Sequence, residues 1–182
     1  EMVFRKPNPR IEVLPDGIPG IDRINTVKLL GVFINDELDF TENIESVLKI
    51  CNQRLYLLSQ LKRQGLTVSA RESVFDAIVL AKIMYAMPVW YGYLTEHNKN
   101  QICSVFDKAN KWSLTMSYYN LEMLASTAAF KLFEDSKAVS HCLYHLYTPK
   151  ATGGRVMRKR GHNFQLPLLH YDFNRKGFIN RA

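Results

Sequence analysis

Residues able to carry chemistry are few and scattered in this sequence. His141 and His145 stand four apart, the spacing that lets two imidazoles on one helix face share a metal ion. No His-Glu-x-x-His pattern accompanies them and no third ligand stands near, so a helix-surface or core pair is the expected reading. Two pairs of adjacent acids, Asp36-Glu37 and Glu134-Asp135, are expected to be solvated, the first at a turn after a strand and the second inside a helix. Cys51, Cys103 and Cys142 are odd in number and far apart, which argues against a disulfide framework and for reduced residues mostly in the core. There is no Gly-x-Ser-x-Gly elbow and no phosphate-cradling glycine loop; Gly153-Gly154 reads as a hinge. Hydrolase and metalloenzyme chemistry therefore have little to stand on.

Charge says more. The chain of 182 residues carries a net charge of +7. From Lys150 to Ala182 there are eight basic residues against Asp172 alone, so this segment accounts for the whole excess, and the first 149 residues balance at 16 basic and 16 acidic. A basic tail on a neutral body suits a polyanionic partner, with a solvated tail as the plain alternative. Arg155, Arg158, Lys159 and Arg160 are its densest part, and Phe164, His170, Tyr171 and Phe173 nearby offer base stacking or anchorage to the body.

These residues must be held by a mostly helical body. An apolar fraction of 47% and a charged fraction of 23% are those of a folding globular chain. Up to about Ile34 the pattern predicts strands and turns, with apolar runs at Met2-Val3-Phe4, at residues 11–14 and at residues 27–34. The last run is nearly continuous, and Gly31 inside it predicts a bulge or a close backbone approach. From Thr41 the period becomes helical, with Ile44, Val47, Leu48, Cys51, Leu55, Leu58 and Leu61 on one face, Thr41 as N-cap and Gly65 as stop. Ser69 and Glu72 fit a capping box for a second helix, apolar nearly all round, that Pro88 kinks or ends. Its length raises a membrane span, but Asp76 and Lys82 inside it favour a buried core helix. A third helix is expected from near Thr95 to about Met116. A fourth is expected from about Asn120 to Tyr147, with a break near Ser126 and closed by Thr148-Pro149. The expected class is α+β: short N-terminal strands, a bundle of about four helices and a basic, loop-rich tail.

Several segments, in order, resemble the C-terminal part of reverse transcriptases of non-LTR (LINE-class), Jockey-like retrotransposons. Glu1-Met2-Val3-Phe4 is similar to the strand after the fourth palm motif. Lys28-Leu29-Leu30-Gly31-Val32, followed by Ile34-Asn35 and Leu38-Asp39-Phe40, resembles the primer grip, with Asn35 where the family usually has Asp. Tyr85-Ala86-Met87-Pro88-Val89-Trp90 is similar to a thumb helix end, with Trp90 closer to Pro88 than is usual. Leu166-Pro167 and residues 178–182 resemble the closing segment but lack its Trp-Asn pair. Glu1 at one end and Ala182 at the other read as cuts in a longer product.

The resemblance implies three regions: residues 1–40 as the end of the palm with the primer-grip strands, 41–149 as a helical thumb-like domain, and 150–182 as the basic tail. It implies a fragment of an RNA-directed DNA polymerase that binds RNA template, RNA–DNA hybrid or target DNA and joins the palm and fingers of a parent chain, with no membrane partner. Localisation in nucleus and cytoplasm is implied likewise. In this family the metal-binding carboxylates come partly from an aromatic-x-Asp-Asp turn. No Asp-Asp pair occurs here, so the fragment is expected to be inactive alone and to hold no cofactor, Mg2+ belonging to the parent polymerase. Within the grip residues Lys28, Leu29, Leu30, Gly31 and Val32, the segment Leu30-Gly31-Val32 would press backbone on the primer's terminal sugar-phosphate, a buried strand with a bulge being the alternative. Lys49, Arg54, Lys62 and Arg63, with Arg71 and Lys82, would meet phosphates along the hybrid, and Arg155, Arg158, Lys159 and Arg160 template or target strands. The competing readings are a non-enzymatic helical module with a nucleic-acid-binding tail, a degenerate element remnant, and a tail that binds membrane surface.

Overall fold

A two-residue turn, not a bulge, interrupts the apolar run at residues 27–34. In the computed structural model, which describes residues 1–4, 14–149, 164–165 and 175–181, β1 (Thr26–Leu29) and β2 (Val32–Asn35) pair antiparallel with Leu29 opposite Val32. Leu30 and Gly31 between them have φ of +48° and +84°. Positive φ at both central residues is the pattern of a type I′ turn, whose twist matches that of the strands it joins. The expected single strand is thus a hairpin. Residues 1–4 form no strand; instead Ile24 N–H donates to Glu1 O at 2.9 Å and Arg23 pairs with the Glu1 carboxylate, which lowers that group's pKa.

These strands lead into helices, an α+β fold. Helix α1 (Thr41–Arg63) buries Ile44, Val47, Cys51, Leu55 and Leu58 of the expected face, while Leu48 is half-buried and Leu61 exposed. Each such side chain, fully buried, contributes about 1.5–3 kcal/mol. Its start differs from expectation. Thr41 is already helical, and the Asp39 carboxylate accepts from Thr41 N–H and hydroxyl at 3.0 and 2.7 Å. Gly65, with φ of +93°, follows its end.

The second apolar stretch is α2 (Val68–Phe75), a π-helical segment (Asp76–Leu80) and α3 (Ala81–Met84) in succession. Its cap is Thr67, which accepts from Ala70 N–H at 3.4 Å, rather than the Ser69–Glu72 box. Glu72 instead accepts from Met116 N–H at 2.9 Å. Buried positions step by four through Arg71, Phe75, Val79 and Ile83. Four residues overshoot an α-turn by about 40°, and the wider π-turn absorbs that drift. The stretch is long and apolar enough to cross a membrane by length and composition alone. Its helical run breaks at Tyr85 and Ala86, the latter at φ of +52°, two residues before Pro88, which itself lies in the short α4 (Met87–Trp90).

Helix α5 (Glu96–Lys111) is capped by Thr95, which accepts from Asn98 N–H at 3.2 Å. Asn98 Nδ2 donates to Thr41 at 3.3 Å and Lys108 Nζ to Asn52 at 2.9 Å, so α5 runs alongside α1 in the same direction. The segment after α5 folds back with Tyr119 between Phe75 and Phe106, ring centroids 5.4 Å away on either side, and its hydroxyl donates to Asp76 at 2.6 Å.

The chain divides into two compact units: Glu1–Ala86 with Tyr93–Leu121, and Met87–Gly92 with Glu122–Ala182. In the second, α6 (Leu121–Ser136) is continuous through Ser126 and stops eleven residues short of Tyr147, where the fourth helix was expected to end. The Ser136 hydroxyl, buried, bonds both Phe133 O at 2.8 Å and the Tyr147 hydroxyl at 2.7 Å. Phe133, Tyr147 and Phe164 pack ring to ring. Thr148–Pro149 (β3) pairs with Phe164–Gln165 (β4), and α7 spans Phe178–Arg181.

Candidate nucleic-acid interface

The hairpin tip carries the proposed grip residues, and its chemistry is unusual for a turn. Type I′ turns favour Asn or Gly because positive φ crowds a Cβ. Leu30 takes that conformation and is 83% exposed, so backbone and solvation both disfavour leucine at this position. Leu29 beside it is also exposed, whereas Val32 is buried and anchors the hairpin. Lys28 lies over the Phe33 ring, 5.0 Å from its centroid.

The tip is held from the helix side. Tyr85, at the end of α3, donates its hydroxyl to Leu30 O at 2.8 Å. A Cβ built on Gly31 would stand 3.9 Å from the Tyr85 ring. Lys82 Nζ lies 5.6 Å from that same ring. The fold therefore brings together two segments 55 residues apart, Lys28 to Val32 and Lys82 to Tyr85. At the base, Asn43 of α1 accepts from Phe33 N–H at 3.3 Å. The result is a basic, aromatic surface with a protruding leucine, able to present cations to phosphates and an apolar tip to a sugar face.

Arg54 has a different task. Its guanidinium, half-buried, donates to Ile78 O in the π segment. Arg54 and Lys82 both act on the buried Cys51 thiol, whose pKa is pushed up to about 11 by burial while these two cations pull it down. Lys62 is half-buried too and donates to Trp112 O at 2.6 Å, at the end of α5. Lys49 and Arg63 are exposed on α1. Arg71 is buried, and its Nε has no hydrogen-bond partner. The four α1 cations thus split into two that serve the fold and two that face solvent.

Arg155, Arg158, Lys159 and Arg160, and the aromatics His170, Tyr171 and Phe173, lie outside the described residues. His141 and His145 are not on one helix, because the segment after α6 is turns and a 3-10 turn (Tyr144–Leu146), and His141 Nδ1 accepts from Leu143 N–H at 3.2 Å. Among the described residues no group of three His, Cys, Asp or Glu could hold a metal ion. Asp36 is buried rather than solvated, while Glu37, Glu134 and Asp135 are exposed. Sequence reading missed Arg54's role, the Tyr85 hydroxyl's partner and the Lys62–Trp112 contact. Only the Leu-Gly pair could have signalled the turn, and it does so weakly.

No protein-family model, curated protein or solved structure matches this chain. The class is therefore defined by the fold alone, a short β-hairpin on an α-helical body, with a basic and aromatic surface where the two meet.

Proposed function

We propose that this chain is the primer-grip and thumb portion of an RNA-directed DNA polymerase of the non-LTR retrotransposon kind, binding primer–template duplex without supplying the catalytic carboxylates. The observation that carries this reading is the Tyr85–Leu30 hydrogen bond, which couples the grip-like hairpin to the thumb-like helix end, the two segments whose patterns resemble that family. The strained and exposed leucine beside it supports a contact role, since the fold gains nothing from leucine there. Lys28 and Lys82 flank the tip and would meet the phosphates of the primer strand. Nucleotidyl transfer needs carboxylates that hold two metal ions; the sequence has no Asp-Asp pair, and in this reading the parent polymerase supplies them.

The test is binding of a fluorescently labelled RNA–DNA hybrid with a recessed primer. The full chain is expected to prefer it to duplex DNA, and Tyr85→Ala to weaken it several-fold. If the basic tail adds about four phosphate contacts, log affinity falls with log salt at a slope near −3 to −4. Primer extension by the isolated chain with Mg2+, or hybrid affinity indifferent to Tyr85→Ala, would sink the reading.

A further inference from the structure

The opposite end of the helical body from the hairpin gathers cations around exposed aromatic rings. Helices α1 and α5 end side by side there, joined by the Lys62–Trp112 hydrogen bond. Lys108 Nζ lies 4.9 Å from the Trp112 ring centroid, so the ring is fixed in place from one side. Trp112 is 36% exposed, and Tyr118, in the loop that follows, is 86% exposed. Arg63 and Lys111 are exposed on the last turns of the two helices.

Cations at helix C-termini have an ordinary use, which is to offset the partial negative charge of the dipole. The magnitudes leave a surplus. Two C-termini carry about −0.5 charge each, against four full positive charges. Asp107, one turn before Lys111, and the Glu72 carboxylate, which accepts from Met116 N–H, remove two more, leaving a surplus of about one positive charge. Nearby, Arg71 adds a buried guanidinium whose Nε has no partner. The exposure of Tyr118 is likewise unexplained by folding, because Tyr119 rather than Tyr118 fills the slot between Phe75 and Phe106.

We infer that this end is a second contact site, for single-stranded nucleic acid, with Trp112 and Tyr118 stacking on unpaired bases and Arg63, Lys108 and Lys111 meeting the phosphates. Unpaired bases are specified because a duplex hides its base faces, whereas exposed aromatic rings amid cations are what a single strand binds. The site shares its ligand chemistry with the nucleic-acid-binding reading above, but none of its residues belongs to the hairpin surface.

The molecule contains its own probe. It has two tryptophans, and Trp90 is 1% exposed, so changes in emission on ligand contact report Trp112. The full chain is titrated with short oligouridylate, with RNA–DNA hybrid, and with anionic phosphatidylserine vesicles. Oligouridylate is expected to quench the emission. Trp112→Ala should weaken binding of the labelled oligonucleotide about tenfold, and Trp112→Phe, which keeps a ring, should restore it. Arg63→Gln and Lys111→Gln should each flatten the salt slope by about 0.7. Oligonucleotide binding with unchanged emission, wild-type affinity in Trp112→Ala, or quenching by vesicles alone would overturn the inference. Hybrid binding lost in Tyr85→Ala but kept in Trp112→Ala separates the two sites. Failure of hybrid binding with Trp112-dependent oligonucleotide binding removes the polymerase reading and leaves this one standing.

Discussion

The hairpin end and the far end of the helical body, about 30 Å apart along α1, solve opposite problems with similar residues. Midway along α1 a cation, Arg54, turns inward to satisfy a helix carbonyl, while at the hairpin end an apolar residue, Leu30, is turned outward. At the far end Lys62 meets a carbonyl at the rim, and Arg63 one residue later points to solvent. Neighbouring cations on one helix therefore differ in role according to whether an orphan backbone oxygen lies within reach. Charge alone cannot tell a structural arginine from a ligand-facing one.

The largest effect should come from Arg54→Ala, which leaves the Ile78 carbonyl half-buried without its charged donor. Urea denaturation should show about 1.5–3 kcal/mol lost, whereas Lys49→Ala on the same helix should stay within about 0.5 kcal/mol. Equal losses would erase the distinction between inward and outward cations. Gly31→Ala should cost about 1–2 kcal/mol, from positive φ rather than from collision, because a Cβ would meet only the Tyr85 ring, at an ordinary contact distance of 3.9 Å. At the other end, Lys62→Ala should cost about 0.3–1 kcal/mol and Arg63→Ala less. Leu30→Asn sharpens the contrast most: it should raise stability by a few tenths of a kcal/mol or more while lowering affinity for the hybrid duplex. A stabilised variant with undiminished affinity would make Leu30 an accident of sequence.

A pH titration touches the space between the two ends. Burial, then the hydrogen bond to Asp76, raises the pKa of Tyr119 above its ordinary 10.0. A raised folded-state value means that its contribution is fully present below pH 10 and is lost as pH climbs through the folded value. Thermal melts in the alkaline range should therefore decline less steeply in Tyr119→Phe.

Much of the helical body was legible because its signals are local and repeated. The α1 face and the Gly65 stop follow from 3.6 spacing and from a residue that accepts positive φ. What escaped depended on partners distant in sequence. The hairpin was hidden because Leu-Gly carries little of the turn signal of Asn-Gly, and eight nearly continuous apolar residues read as one strand. The end of α6 is fixed by the Ser136–Tyr147 bond, which propensity cannot see, since residues 137–147 contain no proline or glycine. The candidate site was half visible: the grip segment and Tyr85 stood out as separate motifs, but nothing in the sequence said that a hydroxyl joins them.

The π-turn at Asp76–Leu80 sets where Tyr85 points. In an α-helix each residue advances the azimuth by about 100°, so a π-turn amounts to one inserted residue that re-indexes everything after it. Substitutions that let this segment close as an α-turn without losing a residue would rotate Lys82 and Tyr85 together by about 100° away from the hairpin while leaving Arg71 and Phe75 in place. The segment works as a rotary setting between the core and the surface, and a change of its winding alone would detach the grip from the body without altering a single residue of either.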